Sequence, residues 1–526
     1  MKQLSFVFLF FCQQVFAQAP AYSVTVTNQA PKGYYMFAPI RFTQANSDQY
    51  LVDGDGDMVF YRSFPTYRTF DFKKHKNGKV SYFDSFHNYF IVMDSLFKNI
   101  DTVSTVGYYT DVHDLIILPN GHYLLMGIET TVTDLSAYHM FKHTHAAGST
   151  TAKWQAAVIQ ELDSNNIVHF NWHANTHFQF DSADPFWLND SDIVDWTHSN
   201  ALEPDTDGNI LMSSRHFNEI TKINRTTGAV MWRFGGKYNQ FALLGDTTPF
   251  YGQHDVRRLK NGHITLFDNG NHFNAHPARA LEYELDEEAM TAKLVWSYVY
   301  DSLMFSNAMG NVQRLPNKQT LVNYGATNTN SVCFNVVDSL GQEVFNLSFP
   351  NSGLYSYRSF YYPSMPWDIQ QPTVTCFDSL GVLYLKAQSG LSNYKWNTGS
   401  SSQIIPVIST GSYVVNVPYG QNAYVLSEPV IVNNITQFCN LTGLSNLEKD
   451  QQINLYPNPA SNQLNVSFAN ANKLTKPKVF DISGKELSVP IIINADKAQV
   501  QLDVSALSKG MYFISINAQM AKFLKE

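Results

Sequence analysis

Charge is scarce in this chain: Asp, Glu, Lys and Arg make up 15% of its 526 residues, where an average soluble protein carries roughly a quarter. Aromatic residues, in contrast, reach 14%. That balance excludes disorder, coiled coil and collagen. Basic residues are in deficit, 36 against 44 acidic for a formal net charge of −8, so no phosphate-neutralising surface is expected and nucleic acid is not an expected partner. Long apolar runs are missing apart from LSFVFLFFC, Leu4 to Cys12, which at about nine residues is too short to span a bilayer. With Lys2 ahead of it and Val15, Phe16 and Ala17 behind it, this run reads as an export signal over residues 1–17. The mature protein is expected to be soluble. Cysteine is sparse too: Cys333, Cys376 and Cys439 survive cleavage, which allows at most one disulfide. Cys376 and Cys439 are the expected pair, with Cys333 free.

What the chain has in quantity is repetition. Five segments run an apolar alternation into an Asn-Gly-like turn and out again: FDFKKHKNGKVSYF from Phe70, HDLIILPNGHYLLM from His113, HSNALEPDTDGNILM from His198, HDVRRLKNGHITLF from His254 and GNVQRLPNKQTLVN from Gly310. Between them lie hairpins of a second kind, starting near Tyr50, Asn88, Val158, Ile220, Leu281 and Cys333. Period-two alternation with this turn chemistry makes both kinds β-hairpins. Two hairpins make a four-stranded unit at the spacing of roughly 40 to 60 residues typical of propeller blades.

The second kind outnumbers the first by one, which leaves the Tyr50 hairpin without a partner. A ring solves this if LYSYRSFYY, Leu354 to Tyr362, joins that hairpin in a blade shared by both ends of the domain. The prediction is an all-β chain with a six-bladed propeller over residues 22–366. A many-stranded β-sandwich is the alternative, but it would not produce the paired-hairpin period.

From Pro372 the composition changes, and short strands at sandwich spacing, with Trp396 as the expected core aromatic, fill residues 372–440. This segment resembles the small immunoglobulin-like modules appended to exported bacterial enzymes. After a linker near Asn446, residues 448–526 carry INLYPNPASNQLNVSF, KVFDISGKEL, LDVSALSKGMYFISI and a terminal KFLKE. That succession resembles the C-terminal sorting domain of the type IX secretion system, which implies export through the periplasm to the cell surface or medium and the secretion machinery as a partner.

In a propeller, equivalent blade positions converge on the central channel. The repeat leaders His113, His198 and His254, with Arg215 after the strand that follows His198, are therefore expected around one pocket. Three imidazoles and a guanidinium suit a small oxyanion: arginine binds it with a planar fork, and histidine can donate, accept or attack. Two other readings stand beside this one. Each histidine can be a structural turn residue, and three histidines can hold zinc. Asp114 and Asp255 directly follow their histidines, and in a regular strand would point to the other face. His139, His143 and His145, in the loop 127–154, read as part of a solvated loop. FDNG at Phe267 reads as a turn with His272 beyond it, and the aromatics between Phe170 and Trp187 read as packing or as a stacking surface.

HDLIILPNGHYLL, WTHSNALEPDTDGNILMSSR, QHDVRRLKNGHITLFDNG and GNVQRLPN together resemble the bacterial aryl-sulfate sulfotransferases, six-bladed propellers that move a sulfuryl group between phenols without a nucleotide donor. The resemblance implies that His254 is a nucleophile that becomes transiently sulfated. It also implies that His113, His198 and Arg215 hold sulfate oxygens or manage protons, and that Asn200 contacts substrate. The implied partners are an aryl sulfate and a phenol, with no cofactor and no metal. Ala201 stands where a serine is expected in relatives. NRTTGAVMW is similar to the repeat of pyrroloquinoline-quinone propellers, but any outer hairpin can produce a single such copy. A non-catalytic exported propeller that binds glycan or protein is the alternative.

Overall fold

The structure, a computed structural model, describes residues 21–138, 148–188, 193–271, 276–327, 332–349, 353–368, 370–379, 381–420, 422–435, 454–467, 477–481, 486–494, 499–516 and 519–526. The expected signal, the linker near Asn446, and His139, His143, His145, His272 and Cys439 lie outside these residues. The strands begin with β1 (Ser23–Val26), β2 (Tyr34–Ile40), β3 (Ser47–Asp53) and β4 (Met58–Phe64). They continue with β5 (Thr69–Lys74), β6 (Val80–Asp84), β7 (Tyr89–Met93), β8 (Asn99–Val103), β9 (Tyr109–Ile117), β10 (Tyr123–Thr133), β11 (Ala152–Leu162) and β12 (Val168–His173). Next come β13 (Ile193–Asp195), β14 (Ser199–Pro204), β15 (Ile210–Ser214), β16 (Glu219–Ile223), β17 (Val230–Gly235), β18 (Ala242–Leu244), β19 (His254–Arg258), β20 (Ile264–Asp268), β21 (Arg279–Asp286) and β22 (Thr291–Tyr298). The propeller strands end with β23 (Asn311–Arg314), β24 (Thr320–Asn323), β25 (Phe334–Val337), β26 (Glu343–Ser348) and β27 (Tyr355–Tyr362).

These strands form antiparallel meanders β5 to β8, β9 to β12, β14 to β17, β19 to β22 and β23 to β26, together with β27-β2-β3-β4. The last is the predicted shared sheet: β27 pairs with β2, Tyr35 opposite Tyr361. The lead strands touch in the sequence β5, β9, β14, β19, β23, β27 and back to β5, so the sheets close into a ring. At its N-terminal end β1 adds to β26 as an outer strand.

Each repeat turn is built alike. Gly78, Gly121, Gly208 and Gly262 adopt φ of 85° to 87°, and each donates its N–H to a carbonyl three residues back at 2.9–3.0 Å. The Asn or Asp before each glycine accepts the N–H two residues beyond itself. In the fifth copy Lys318 occupies the same left-handed conformation at φ 65°, which costs a non-glycine residue about 1–2 kcal/mol. The core lies between sheets. Phe83 and Phe90 pack with Leu115, Tyr123 and Leu125 of the next sheet, and Leu211, Ile220 and Phe234 pack with Val256, Leu266 and Tyr283. Each such side chain stabilises the ring by about 1.5–3 kcal/mol.

The following module contributes β28 (Val374–Ser379), β29 (Val382–Ala387), β30 (Lys395–Trp396), β31 (Ile404–Pro406), β32 (Gly411–Tyr413), β33 (Val415–Pro418), β34 (Ala423–Leu426) and β35 (Val430–Val432). Trp396 is fully buried there, its indole N–H on the Ser402 carbonyl at 2.8 Å. β34 pairs with β4, so the shared sheet runs on as β27-β2-β3-β4-β34-β33-β30. Cys376 is disulfide-bonded, and Cys333 is free and buried. Residues 440–526 form a separate compact unit with two four-stranded antiparallel sheets and a core that includes Leu464, Val466, Val479, Leu502, Ile514 and Phe523.

Candidate active site

The lead strands are not regular. Register shifts interrupt β5 between Phe70 and Lys73, β14 between Ser199 and Ala201, and β19 between His254 and Arg257. In β9 the break is wider, because the four residues from Asp111 to Asp114 face Met126 alone. Asp71 and Asp255 take positive φ inside these breaks, and His198 does so immediately before β14. Bulges of this kind re-aim side chains, so the period-two alternation that separates each histidine from the following aspartate does not hold here.

Asp114 and Asp255 join Asp71 in a buried ion cluster with Lys73, Arg257 and Arg358. Lys73 bridges Asp71 at 2.6 Å and Asp114 at 2.5 Å, Arg257 bridges Asp114 at 2.9 Å and Asp255 at 2.6 Å, and Arg358 reaches Asp71 at 2.7 Å. Three carboxylates meet three cations, and burial pushes a fourth carboxyl, Glu203, 3.4 Å from Arg257, up to about 7, which limits the net charge of the buried set. Arg358 also donates to the carbonyls of His113 (2.9 Å) and Asn200 (2.8 Å), and the Tyr357 hydroxyl donates to the same two carbonyls. The cluster thereby fixes the backbone under the site.

His254 is buried. Its Nδ1 lies 2.8 Å from Asn269 Oδ1 and 2.9 Å from the Gly252 carbonyl; both are acceptors, so Nδ1 carries the proton and Nε2 the lone pair. Burial, reinforced by the Arg215 charge, holds this imidazole well below its ordinary value, and hence neutral. Met309 N–H donates to Nε2 at 3.0 Å.

His198 Nδ1 lies 2.5 Å from Asp195 Oδ2, and His113 Nδ1 2.5 Å from Asp111 Oδ1. In each pair the carboxylate fixes the ring and leaves Nε2 as the free edge; the two ring centroids are 5.2 Å apart. Burial lowers the His198 pKa, with Asp195 opposing that shift. Arg215 follows β15 as expected. It stacks on Trp187 with Cζ 4.1 Å from the ring centre, donates to the Asn307 carbonyl at 2.7 Å, and approaches His216 Nε2 at 3.2 Å. Its buried Nε has no partner, and burial lowers its pKa to about 10, which leaves it charged at neutral pH. His216 lies between His198 and Trp187 in a stack, with Nδ1 on the Asp195 carbonyl at 2.7 Å.

Asn200 is fully buried. Its amide donates to the Gln253 carbonyl at 2.7 Å and accepts the Asp255 N–H at 3.4 Å, so it grips the backbone on both sides of His254. Sequence reasoning missed Asp111, Asp195, His216, Asn269, Met309 and Arg358. The FDNG motif and the adjacency of His216 to Arg215 were the signals available. Of the aromatics between Phe170 and Trp187, Trp172 is core, whereas Trp187 supports Arg215.

Among the described residues, Asp195, His198 and His216 bring ligand atoms within 4.8 Å of one another, a spacing that could hold a metal. This differs from the set of repeat-leading histidines. The Arg215 guanidinium 3.2 Å from His216 Nε2 opposes a cation there and favours an anion. Beside His113 and His198 lies a cavity of about 170 Å³.

A propeller that gathers imidazoles at its lead strands and a buried guanidinium just after β15, with a donor to spare, has the groups to hold an oxyanion. The family model described as Arylsulfotransferase (ASST) matches residues 21–358, more than half of the chain, and the chain belongs to that family of sulfotransferases. A second model, Secretion system C-terminal sorting domain, matches residues 454–526; the protein is accordingly exported to the cell surface or secreted. Among the described residues no helix is long and apolar enough to cross a membrane. No curated protein matches the chain. Similar solved structures include a protein of unknown function from Bacteroides caccae (10% identity, 62% of this chain and 98% of that one, TM-score 0.39). Another is a catalytically inactive virginiamycin B lyase from Staphylococcus aureus (8% identity, 70% and 96%, TM-score 0.34). Likenesses at these scores carry no argument about function.

Proposed function

We propose that this protein transfers a sulfuryl group from an aryl sulfate to a phenol in two steps through His254, after export by the type IX machinery that reads its tail. The observation that carries this reading is the state of His254: neutral, with Nδ1–H committed to Asn269 and Gly252, so that the lone pair sits on Nε2 beside the Arg215 charge. A neutral imidazole attacks without first losing a proton. In the first step Nε2 forms a bond to sulfur while the sulfur–oxygen bond to the aryl group breaks, and the electron pair leaves on the aryloxide. The Met309 N–H must first release Nε2, at a cost of about 0.5–1.5 kcal/mol for a net hydrogen bond.

Charge builds on the transferred and leaving oxygens in a loose transition state. Arg215, with its unpartnered Nε, supplies fixed positive charge for those oxygens. The leaving aryloxide takes a proton from His198, or from His113, when that ring is protonated; a weakly basic aryloxide leaves without one. In the second step a phenol gives its proton to the free Nε2 edge of His198, Asp195 stabilises the resulting imidazolium, the phenolic oxygen bonds to sulfur, and the pair of the N–S bond returns to His254. Asn200 acts by positioning His254 through the backbone that it grips.

A chromogenic aryl sulfate mixed with the enzyme alone should release one equivalent of phenol in a burst and then stall until an acceptor phenol is added, with parallel-line kinetics. Release that needs the acceptor present from the start overturns the two-step route. No release at all would leave a binding protein.

A further inference from the structure

We infer that the open cleft between β4, β7 and the module strand β34 binds an acidic oligosaccharide of the uronate class, with Arg62 taking a carboxylate. The inference stands apart from sulfuryl transfer, since the cleft shares no residue with the site of His254. It is built by the pairing of β34 with β4, which sets Ala423 opposite Arg62 and brings the Asn422 carbonyl to the Ser63 N–H at 2.9 Å. The Tyr419 hydroxyl donates to the Leu96 carbonyl at 2.9 Å, so the module forms one wall, and β6 and β7 form another. The space holds about 770 Å³ and is open to solvent.

Arg62 is a cation without a counter-charge. Its guanidinium lies 5.6 Å from the Phe60 ring centre and 5.3 Å from that of Phe97, approaches Met93 Sδ at 3.5 Å and hydrogen-bonds Tyr82. Burial lowers its pKa, and the groups that act to hold its charge are tyrosine hydroxyls. Among the described residues no carboxylate pairs with it, nor with the exposed Lys98 at the rim of the cleft. The carboxylate in the lining, Asp84, is spent on its own turn: it accepts the N–H groups of Phe86 at 2.9 Å and His87 at 3.1 Å, and lies 2.9 Å from His87 Nδ1. A largely buried charge calls for a partner, and a guanidinium takes a carboxylate with a two-pronged fork.

The walls decide what carries that carboxylate. The rings of His87 and Tyr89 stack nearly parallel, 5.2 Å between centres and 11° between planes, and both reach solvent, which makes a flat aromatic face for the C–H side of a sugar ring. The exposed amides of Asn99 and Asn422 can donate to and accept from hydroxyls. The lining runs from Pro65 and His87 at one end of β7 to Leu96 and Lys98 at the other, and five strand residues span about 17 Å. A row of sugar rings fills that length, whereas a lone aromatic acid would leave most of it empty.

The test is equilibrium dialysis of the full-length protein against tetragalacturonate, against maltotetraose as a neutral chain of the same length, and against benzoate. The parent should bind tetragalacturonate at least tenfold more tightly than either control. Arg62→Gln should remove at least tenfold of that affinity and leave maltotetraose unchanged, and Lys98→Glu, at an exposed position, should weaken tetragalacturonate at least threefold. Release of phenol from an aryl sulfate should stay at the parental level in both variants. Equal binding of maltotetraose or benzoate by the parent overturns the inference, as does no binding of tetragalacturonate or an affinity unchanged by both substitutions. If Arg62→Gln does not fold, Lys98→Glu decides alone. A parent that transfers no sulfuryl group fails the reading of His254 and leaves the dialysis result standing.

Discussion

Replacing Asp195 by Asn isolates the proton-handling half of the mechanism. The Asp195 carboxylate holds His198 Nδ1 at 2.5 Å, and its side chain is 48% exposed. An amide keeps an acceptor but loses the charge that stabilises the His198 imidazolium. Hydrogen bonds to charged groups are worth about 1.5–3 kcal/mol and neutral ones about 0.5–1.5. The two scales differ by about 1–1.5 kcal/mol, and partial exposure places the difference at the lower end, about 1 kcal/mol, or roughly fivefold in rate. The loss should fall only where a proton moves. Transfer to unsubstituted phenol, a basic aryloxide, should slow by that factor, whereas the burst from a nitrophenyl sulfate, whose leaving group needs no proton, should keep its rate. Because Asp195 raises the His198 pKa against the effect of burial, the pH limb for transfer should also move downward. Rapid-mixing bursts and steady-state transfer, with thermal unfolding as a control for folding, measure all three. Equal slowing of burst and transfer, or no change in either, would refute the assignment.

Arg215→Lys keeps a charge but loses the fork and the stack on Trp187, and should lower turnover by about two to three orders of magnitude, on the scale of one lost oxyanion donor. His75, outside the site, is pushed by burial to about 3. Its folded value lies below the unfolded 6.5, so protons favour the unfolded chain and the stability it contributes above 6.5 is lost as pH falls toward 3. His75→Gln should therefore flatten the pH dependence of the unfolding free energy between pH 6 and 4 by about 1.4 kcal/mol per pH unit; an unchanged slope in urea titrations contradicts this. Burial raises the Cys333 thiol to about 12, so thiol reagents should modify it only after unfolding, and rapid labelling of the native protein would show the site is open.

Much of this was legible in the sequence because the turns are local. Asn-Gly and Asp-Gly dictate the same left-handed position in successive sheets, and an unpaired hairpin at Tyr50 demanded a closing strand, which β27 supplies. His113, His198 and His254 were visible as repeat leaders for the same reason. Asp111 and Asp195 were not, because they fall outside the repeat and their relation to the histidines arises from folding, and Asn269, although it lies in FDNG, reads there only as part of a turn. The register breaks were equally hidden: an alternation reads the same with or without an inserted residue until its partner strand is known. That also hid the ion cluster of Asp114 and Asp255. The pairing of β34 with β4 left no signal either, since an edge strand that stays free and one that is covered share a pattern.

The central claim is that His254 carries the sulfuryl group. Incubation with an aryl sulfate in the absence of acceptor, a quench that avoids acid, and peptide mass spectrometry should find one sulfuryl group on the fragment containing His254 and none in His254→Asn. A label on His113 or His198, or full turnover by His254→Asn, would contradict the account.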